Sequence, residues 1–67
     1  MKCTNFYVGK FGEERLLFST SKEEFTNYHK NDFVFYGSET YKILYTMYDF
    51  DHKERYVFMR VAMEEDF

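Results

Sequence analysis

The sequence predicts a mainly β protein: five antiparallel strands in a strongly curled sheet or a small barrel, with one short helix. Three observations support this fold class. Five segments show the two-residue alternation of strands and are rich in β-branched and aromatic residues. Most of them are separated by short polar or glycine-containing breaks. No proline is present, so no segment lacks a backbone donor for strand pairing.

The first two strands are expected at residues 4–11 and 15–20, joined as a hairpin through Gly12-Glu13-Glu14. Side chains two residues apart share a face of a strand, which defines the apolar side of each segment. The predicted core residues of this hairpin are Phe6, Val8, Leu16 and Phe18.

The stretch after the hairpin breaks the strand pattern. Ser21 and Glu24 have the spacing of a capping box, and Phe25 and Tyr28 follow at helical spacing. We therefore predict a short helix over Lys22–Tyr28, with an irregular loop as the alternative.

Three further strands are expected at residues 32–36, 41–48 and 55–63. Gly37 can adopt positive φ in the first intervening turn, and the polar run 49–54 suits a longer hairpin loop. The predicted core residues of these strands are Phe33, Phe35, Ile43, Tyr45, Met47, Val57, Met59 and Val61.

Two stretches have a pattern similar to that of SH3-like barrels. In residues 31–44 a polar residue and Asp32 precede an apolar strand, a small turn and an aromatic-x-aliphatic strand, and Tyr48-Asp49-Phe50-Asp51 precedes the last strand. The resemblance covers about half the chain and implies a fold but no activity, because such barrels have unrelated functions. The absence of tryptophan and proline argues against the proline-rich ligands of SH3 domains.

Length and composition indicate the number of domains, the kind of partner and the cellular compartment. Sixty-seven residues form one domain, 1–67, and the formal net charge of −3 lowers the expectation of non-specific nucleic-acid binding. A single cysteine, Cys3, excludes an internal disulfide and favours a reducing compartment. With no signal-peptide pattern and no long apolar run, we expect a cytoplasmic protein without a membrane segment.

No catalytic, metal or cofactor motif is recognisable. His29, His52 and Cys3 are widely separated in sequence, and the Asp49-Phe50-Asp51 start of a calcium loop is not continued, since Glu54 stands where glycine is needed. No nucleophile elbow or phosphate-binding glycine loop is present. We predict that the protein is not an enzyme and needs no cofactor.

The second face of the long strands carries the candidate site. Its members alternate with the predicted core residues: Val34, Tyr36, Lys42, Leu44, Tyr48, Tyr56, Phe58 and Arg60. Packing within the curled sheet would explain this face in structural terms. As an interaction surface it would use Tyr36, Tyr48, Tyr56, Phe58 and Arg60, because tyrosine and arginine are enriched at binding hot spots. As a nucleic-acid surface it would use Lys42, Arg55 and Arg60 with stacking tyrosines.

The acidic residues lie mainly in predicted turns, the helix and the tail. They keep an aromatic-rich protein in solution, or they imitate phosphates as a decoy for a DNA-binding partner. Small acidic proteins of this kind resemble bacteriophage host-takeover proteins. The sequence therefore predicts an adaptor or inhibitor that acts through protein–protein contact, with a nucleic-acid-binding barrel and a homo-oligomer as alternatives.

Overall fold

The computed structural model describes residues 3–10, 12–20 and 28–67 and has the predicted mainly β fold. Its elements are strands β1 (Cys3–Val8), β2 (Arg15–Thr20), β3 (Phe33–Tyr36), β4 (Glu39–Asp49) and β5 (Glu54–Val61), followed by a 3₁₀ turn at Glu64–Asp66. The five-stranded curled sheet is confirmed. Of the helix predicted over Lys22–Tyr28, all but Tyr28 lies outside the described residues.

The strands form one sheet in the order β2-β1-β5-β4-β3. The pairs β1–β2, β3–β4 and β4–β5 are antiparallel, as expected for hairpins. The prediction that all five strands are antiparallel is wrong for the fourth pair: β1–β5 is parallel, and it joins the N-terminal hairpin to the three-stranded C-terminal meander. Side-chain periodicity predicts the faces of a strand but carries no signal for the direction of a partner that is distant in sequence.

The sheet curls into a half-barrel. Strands β2 and β3 lie at opposite edges of the sheet, yet the rings of Phe18 and Tyr36 stack with centroids 4.0 Å apart. Phe18 also stacks on Phe6, at 4.3 Å. This row of rings closes the open side of the half-barrel across its concave surface.

The concave surface is the core face, defined by its buried side chains Phe6, Val8, Tyr41, Ile43, Val57 and Met59. Five of the six were predicted as core residues, and Tyr41 lies on the predicted face of β4. Each fully buried aliphatic or aromatic side chain contributes about 1.5–3 kcal/mol. Leu17, Phe18, Tyr28 and Val34 pack against this cluster while partly exposed.

A β-bulge in β4 explains two wrong core predictions, Tyr45 and Met47. Ile43 pairs with Met59, but Tyr45 pairs with Phe58, so Leu44 is an extra residue in the ladder. One extra residue moves every following side chain to the opposite face. Tyr45 and Met47 are consequently exposed on the convex side.

The other wrong core predictions have related causes. Leu16 is exposed because a second register shift leaves Leu17 unpaired and places Leu16 opposite Tyr7. Val61 extends beyond Met59, where the β1–β5 pairing ends, and is half exposed.

The face of strand β3 that packs against the core is the opposite of the predicted one. Val34 pairs with Tyr41, and this register places Val34 against the core. Phe33 and Phe35 therefore point to the convex side and are exposed.

The two C-terminal turns follow the chemistry expected from the sequence. Gly37 and Ser38 both have positive φ, 60° and 65°, which is the requirement of a two-residue type I′ hairpin. In the longer β4–β5 loop, Asp49 Oδ1 accepts hydrogen bonds from the backbone N–H groups of Asp51 (3.0 Å) and His52 (3.2 Å). This local bonding replaces ladder contacts where the chain reverses.

Candidate interaction face

The convex side of the sheet carries a cluster of large side chains that we call the aromatic face: Tyr7, Tyr45, Met47, Tyr56 and Phe58. Strand pairing places them together. Phe58 in β5 lies opposite Tyr7 in β1 and Tyr45 in β4, and Tyr56 lies opposite Met47. The β4 bulge is essential to this arrangement, because it turns Tyr45 and Met47 to the side that Phe58 occupies.

Phe58 is the centre of the aromatic face. Its ring stacks on Tyr45 at 4.6 Å and on Tyr7 at 5.5 Å between centroids. Tyr56 lies 6.0 Å from Tyr7 and 6.4 Å from Phe58. Such ring pairs contribute about 0.5–1.5 kcal/mol beyond the area they bury. The cluster is nevertheless incompletely covered, since Tyr45 and Met47 remain 41% and 51% exposed.

A carboxylate orients the phenol at one margin of the face. The Tyr56 hydroxyl donates a hydrogen bond to Glu54 Oε2 at 2.9 Å. This hydrogen bond, together with desolvation and the nearby negative charges, raises the pKa of Tyr56 to about 12. Tyr56 therefore stays neutral, with an apolar ring on the face and a fixed polar tip at its rim.

The opposite margin of the face is closed by an ion pair. Arg60 follows Phe58 on the same side of β5, and its Nη1 and Nη2 donate to Asp66 Oδ2 (2.8 Å) and Oδ1 (2.9 Å). Lys42, paired with Arg60 across the sheet, donates to Asp66 Oδ1 at 3.3 Å. The Asp66 side chain is only 7% exposed, and the Arg60 hydrogen bonds in particular lower its pKa well below the usual range. The same pairing raises the pKa of Arg60.

Residues 63–67, here called the tail segment, fold back onto the sheet to make this pairing. The Met63 N–H donates to Asp66 Oδ2 at 2.7 Å, which tightens the 3₁₀ turn. The Phe67 ring then stacks on Phe33 of β3, with centroids 5.2 Å apart. The segment thus contacts β3, β4 and β5 on the convex side, beside the aromatic face.

The structure brings together three of the five predicted interaction residues. Tyr56, Phe58 and Arg60 share the convex side of β5. Tyr36 lies on the concave side, where it stacks on Phe18. Tyr48 pairs with Arg55, on the concave side of the bulged strand, and its ring contacts Phe50 at 4.7 Å.

Sequence reasoning missed Tyr7, Tyr45 and Met47 as members of the face, and Asp66 as the partner of the basic residues. Strand alternation places Tyr7 on the side opposite Phe6 and Val8, but only the parallel β1–β5 pairing places it beside Phe58. The bulge at Leu44 carries no glycine or other local signal. Met63 and Asp66 have the three-residue spacing of a capping box, but the sequence carries no signal for it, because Met63 stands where the motif has Ser or Thr.

The potential metal ligands are not assembled into a site. In residues 3–10, 12–20 and 28–67, no three His, Cys, Asp or Glu side chains are grouped so as to hold a metal ion. His52 instead contacts Asp49 Oδ2 through Nδ1 at 2.8 Å, which raises the pKa of His52 and lowers that of Asp49. Within the described part of the chain, no helix is both long and apolar enough to span a membrane.

Comparison of the chain with protein-family models, with curated proteins and with solved structures found no match in any of the three.

Proposed function

We propose that the protein acts without enzymatic activity, in the cytoplasm, through protein–protein contact made by the aromatic face. The observation that supports this function is the stacked cluster around Phe58, which is ordered by ring contacts yet left partly open to solvent. Interface centres are enriched in tyrosine, phenylalanine and methionine, the residue types found here. An adaptor or an inhibitor would use such a face in the same way.

The face is prepared for binding before a partner arrives. The contacts of Phe58 with Tyr7 and Tyr45, and the hydrogen bond from Tyr56 to Glu54, restrict these side chains in the free protein. Restricted aromatic side chains lose little conformational entropy on association, which favours affinity for a given buried area.

The acidic decoy is the less supported form of this proposal. Two of the acids that it would use are engaged inside the molecule: Asp66 with Lys42 and Arg60, and Asp49 with His52. The same ion pairs weigh against the nucleic-acid alternative, because Lys42 and Arg60 already have a carboxylate partner. A homo-oligomer that buries the aromatic face remains a specific form of the protein-contact proposal.

The test is an affinity capture from extract of the cells that express the protein, made with and without nuclease treatment. The tagged parent is compared with a Tyr45→Ser/Met47→Ser variant, which removes two exposed side chains of the face. A matched control, Phe50→Ser/Val61→Ser, removes two exposed apolar side chains elsewhere. We expect the same partner with the parent and the control, and at least tenfold lower recovery with the face variant.

Two results would contradict the proposal. Equal recovery with both double variants would show that the aromatic face is not the contact surface. Recovery that disappears on nuclease treatment and falls steeply with added salt would favour nucleic-acid binding, since phosphate contacts depend strongly on salt. Sedimentation of the purified parent and face variant separates a foreign partner from self-association.

A further inference from the structure

Three residues form a row across the convex side of the sheet next to the aromatic face. Phe33 in β3 pairs with Lys42 in β4, and Lys42 pairs with Arg60 in β5. One ring and two cations from three neighbouring strands therefore lie side by side. We call this row the tail site, because the tail segment occupies it.

The contacts of the tail segment show which kinds of side chain the tail site can bind. The Asp66 carboxylate receives two hydrogen bonds from the Arg60 guanidinium and one from the Lys42 ammonium group. The next residue, Phe67, stacks on Phe33. Planar two-point pairing of arginine with a carboxylate is geometrically specific, so the row distinguishes an acid followed by an aromatic residue from an apolar segment.

The tail segment is held at few points. Among the described side chains, Asp66 supplies the ion pairs and Phe67 supplies the ring contact, while Glu64 and Glu65 are exposed. Phe67 itself is 80% exposed despite its stacking. The residues that make the row belong to the sheet and do not depend on the tail segment for their position along the strands.

We infer that the tail site is a recognition site for a partner peptide in which an acidic residue precedes an aromatic one, and that the tail segment is its intramolecular competitor. A tethered competitor acts at an effective concentration on the order of millimolar, so it admits only peptides that bind more favourably or are presented at high local concentration. This inference does not depend on the aromatic face having a partner.

The test uses the chain ended at Ala62, which retains the row and removes the competitor. The ligand is a labelled peptide, Met-Glu-Glu-Asp-Phe, and the control ligand is Met-Glu-Glu-Asn-Ala. Fluorescence anisotropy should show saturable binding of the first peptide, at least tenfold tighter than to the intact chain. The control peptide and an Arg60→Met version of the shortened chain should each lose this binding.

If circular dichroism shows that the shortened chain is unfolded, the peptide-binding measurement is made instead with a full-length variant, Asp66→Asn/Phe67→Ala. The inference is overturned if the folded variants bind neither peptide or bind both equally. It is also overturned if Lys42 and Arg60 in the opened site take up a short oligothymidylate in preference to the peptide, which would identify a phosphate-binding surface instead.

Discussion

Both faces of the sheet carry large apolar and aromatic side chains, but the faces differ in what covers those side chains. On the core face, the curl of the sheet surrounds Phe6, Ile43, Val57 and Met59 until almost no surface remains. On the aromatic face, Tyr7, Tyr45 and Phe58 cover one another by stacking, and solvent reaches their edges. Curvature therefore decides which face is the core, since hydrophobicity alone does not distinguish the two.

This difference separates stability from recognition. Side chains on the concave surface are fixed by their neighbours on several strands and are expected to tolerate little change. Side chains on the convex surface can change with a small loss of stability, so they are free to be specialised for a partner. Substitutions at matched positions on the two faces test this division directly.

The largest effect is expected for Val57→Asp. Val57 is fully buried on the core face, and an unpaired buried charge costs several kcal/mol, a large part of the roughly 5–15 kcal/mol stability of a small domain. We expect this variant to be unfolded in a circular dichroism melt. Val61→Asp, on the same strand and of the same parity but 47% exposed, should fold and lose about 1 kcal/mol. Equal melting temperatures for the two variants would refute the core assignment.

A smaller effect tests the bulge in β4. Ile43→Ala should destabilise by about 2–5 kcal/mol, because Ile43 is fully buried before the bulge. Met47→Ala, four residues later on the same parity, should cost under about 1 kcal/mol, because Met47 is exposed on the aromatic face. Urea unfolding of both variants gives the comparison. Similar losses would mean that β4 runs without a bulge and that Met47 belongs to the core.

The sequence predicted the strands and most of the core well, because these depend on local periodicity. Phe6, Val8, Ile43, Val57 and Met59 were assigned correctly from alternation alone. The errors at Leu16, Tyr45 and Met47 arise where an extra residue enters a ladder, because the alternation of residue types continues through a bulge while the faces exchange.

The candidate site was less predictable, because it depends on contacts between distant parts of the chain. Tyr56, Phe58 and Arg60 were found because they share one strand. Tyr7 joins them only through the parallel β1–β5 pair, and Asp66 only because the tail segment folds back. The charges of Lys42 and Arg60 suggested a surface for phosphates, but the structure pairs both with Asp66.

The pairing with Asp66 predicts an acid-dependent loss of stability. The pKa of Asp66 is lower in the folded protein than its ordinary value of 3.8. The contribution of the Asp66 carboxylate to the free energy of unfolding is therefore fully present above pH 3.8 and is lost as the pH falls through the folded pKa. Asp66→Asn should therefore melt below the parent at pH 7, with a difference that shrinks in strong acid. Glu65→Gln makes the same change of charge at an exposed position and should leave the melting temperature nearly unchanged. A pH-independent difference for Asp66→Asn would exclude the ion pairs as its cause.

The smallest effect on stability is expected in the β4–β5 loop, where Asp49 and His52 form an ion pair outside both faces of the sheet. The Asp49 carboxylate raises the pKa of His52 above 6.5 in the folded protein. The contribution of protonated His52 to the free energy of unfolding is therefore present below pH 6.5 and is lost as the pH rises through the folded pKa. The His52 ring signals in an NMR titration should move to a lower midpoint in Asp49→Asn, whereas Asp51→Asn, a neighbouring acid in the same loop, serves as the control. Because the His52 side chain is 73% exposed and salt screens such a pair, the melting temperature should hardly change. If Asp49→Asn instead lost as much stability as Ile43→Ala, Asp49 would anchor the hairpin through its hydrogen bonds with the backbone N–H groups of Asp51 and His52. This loop would then contribute to the fold as strongly as the core face.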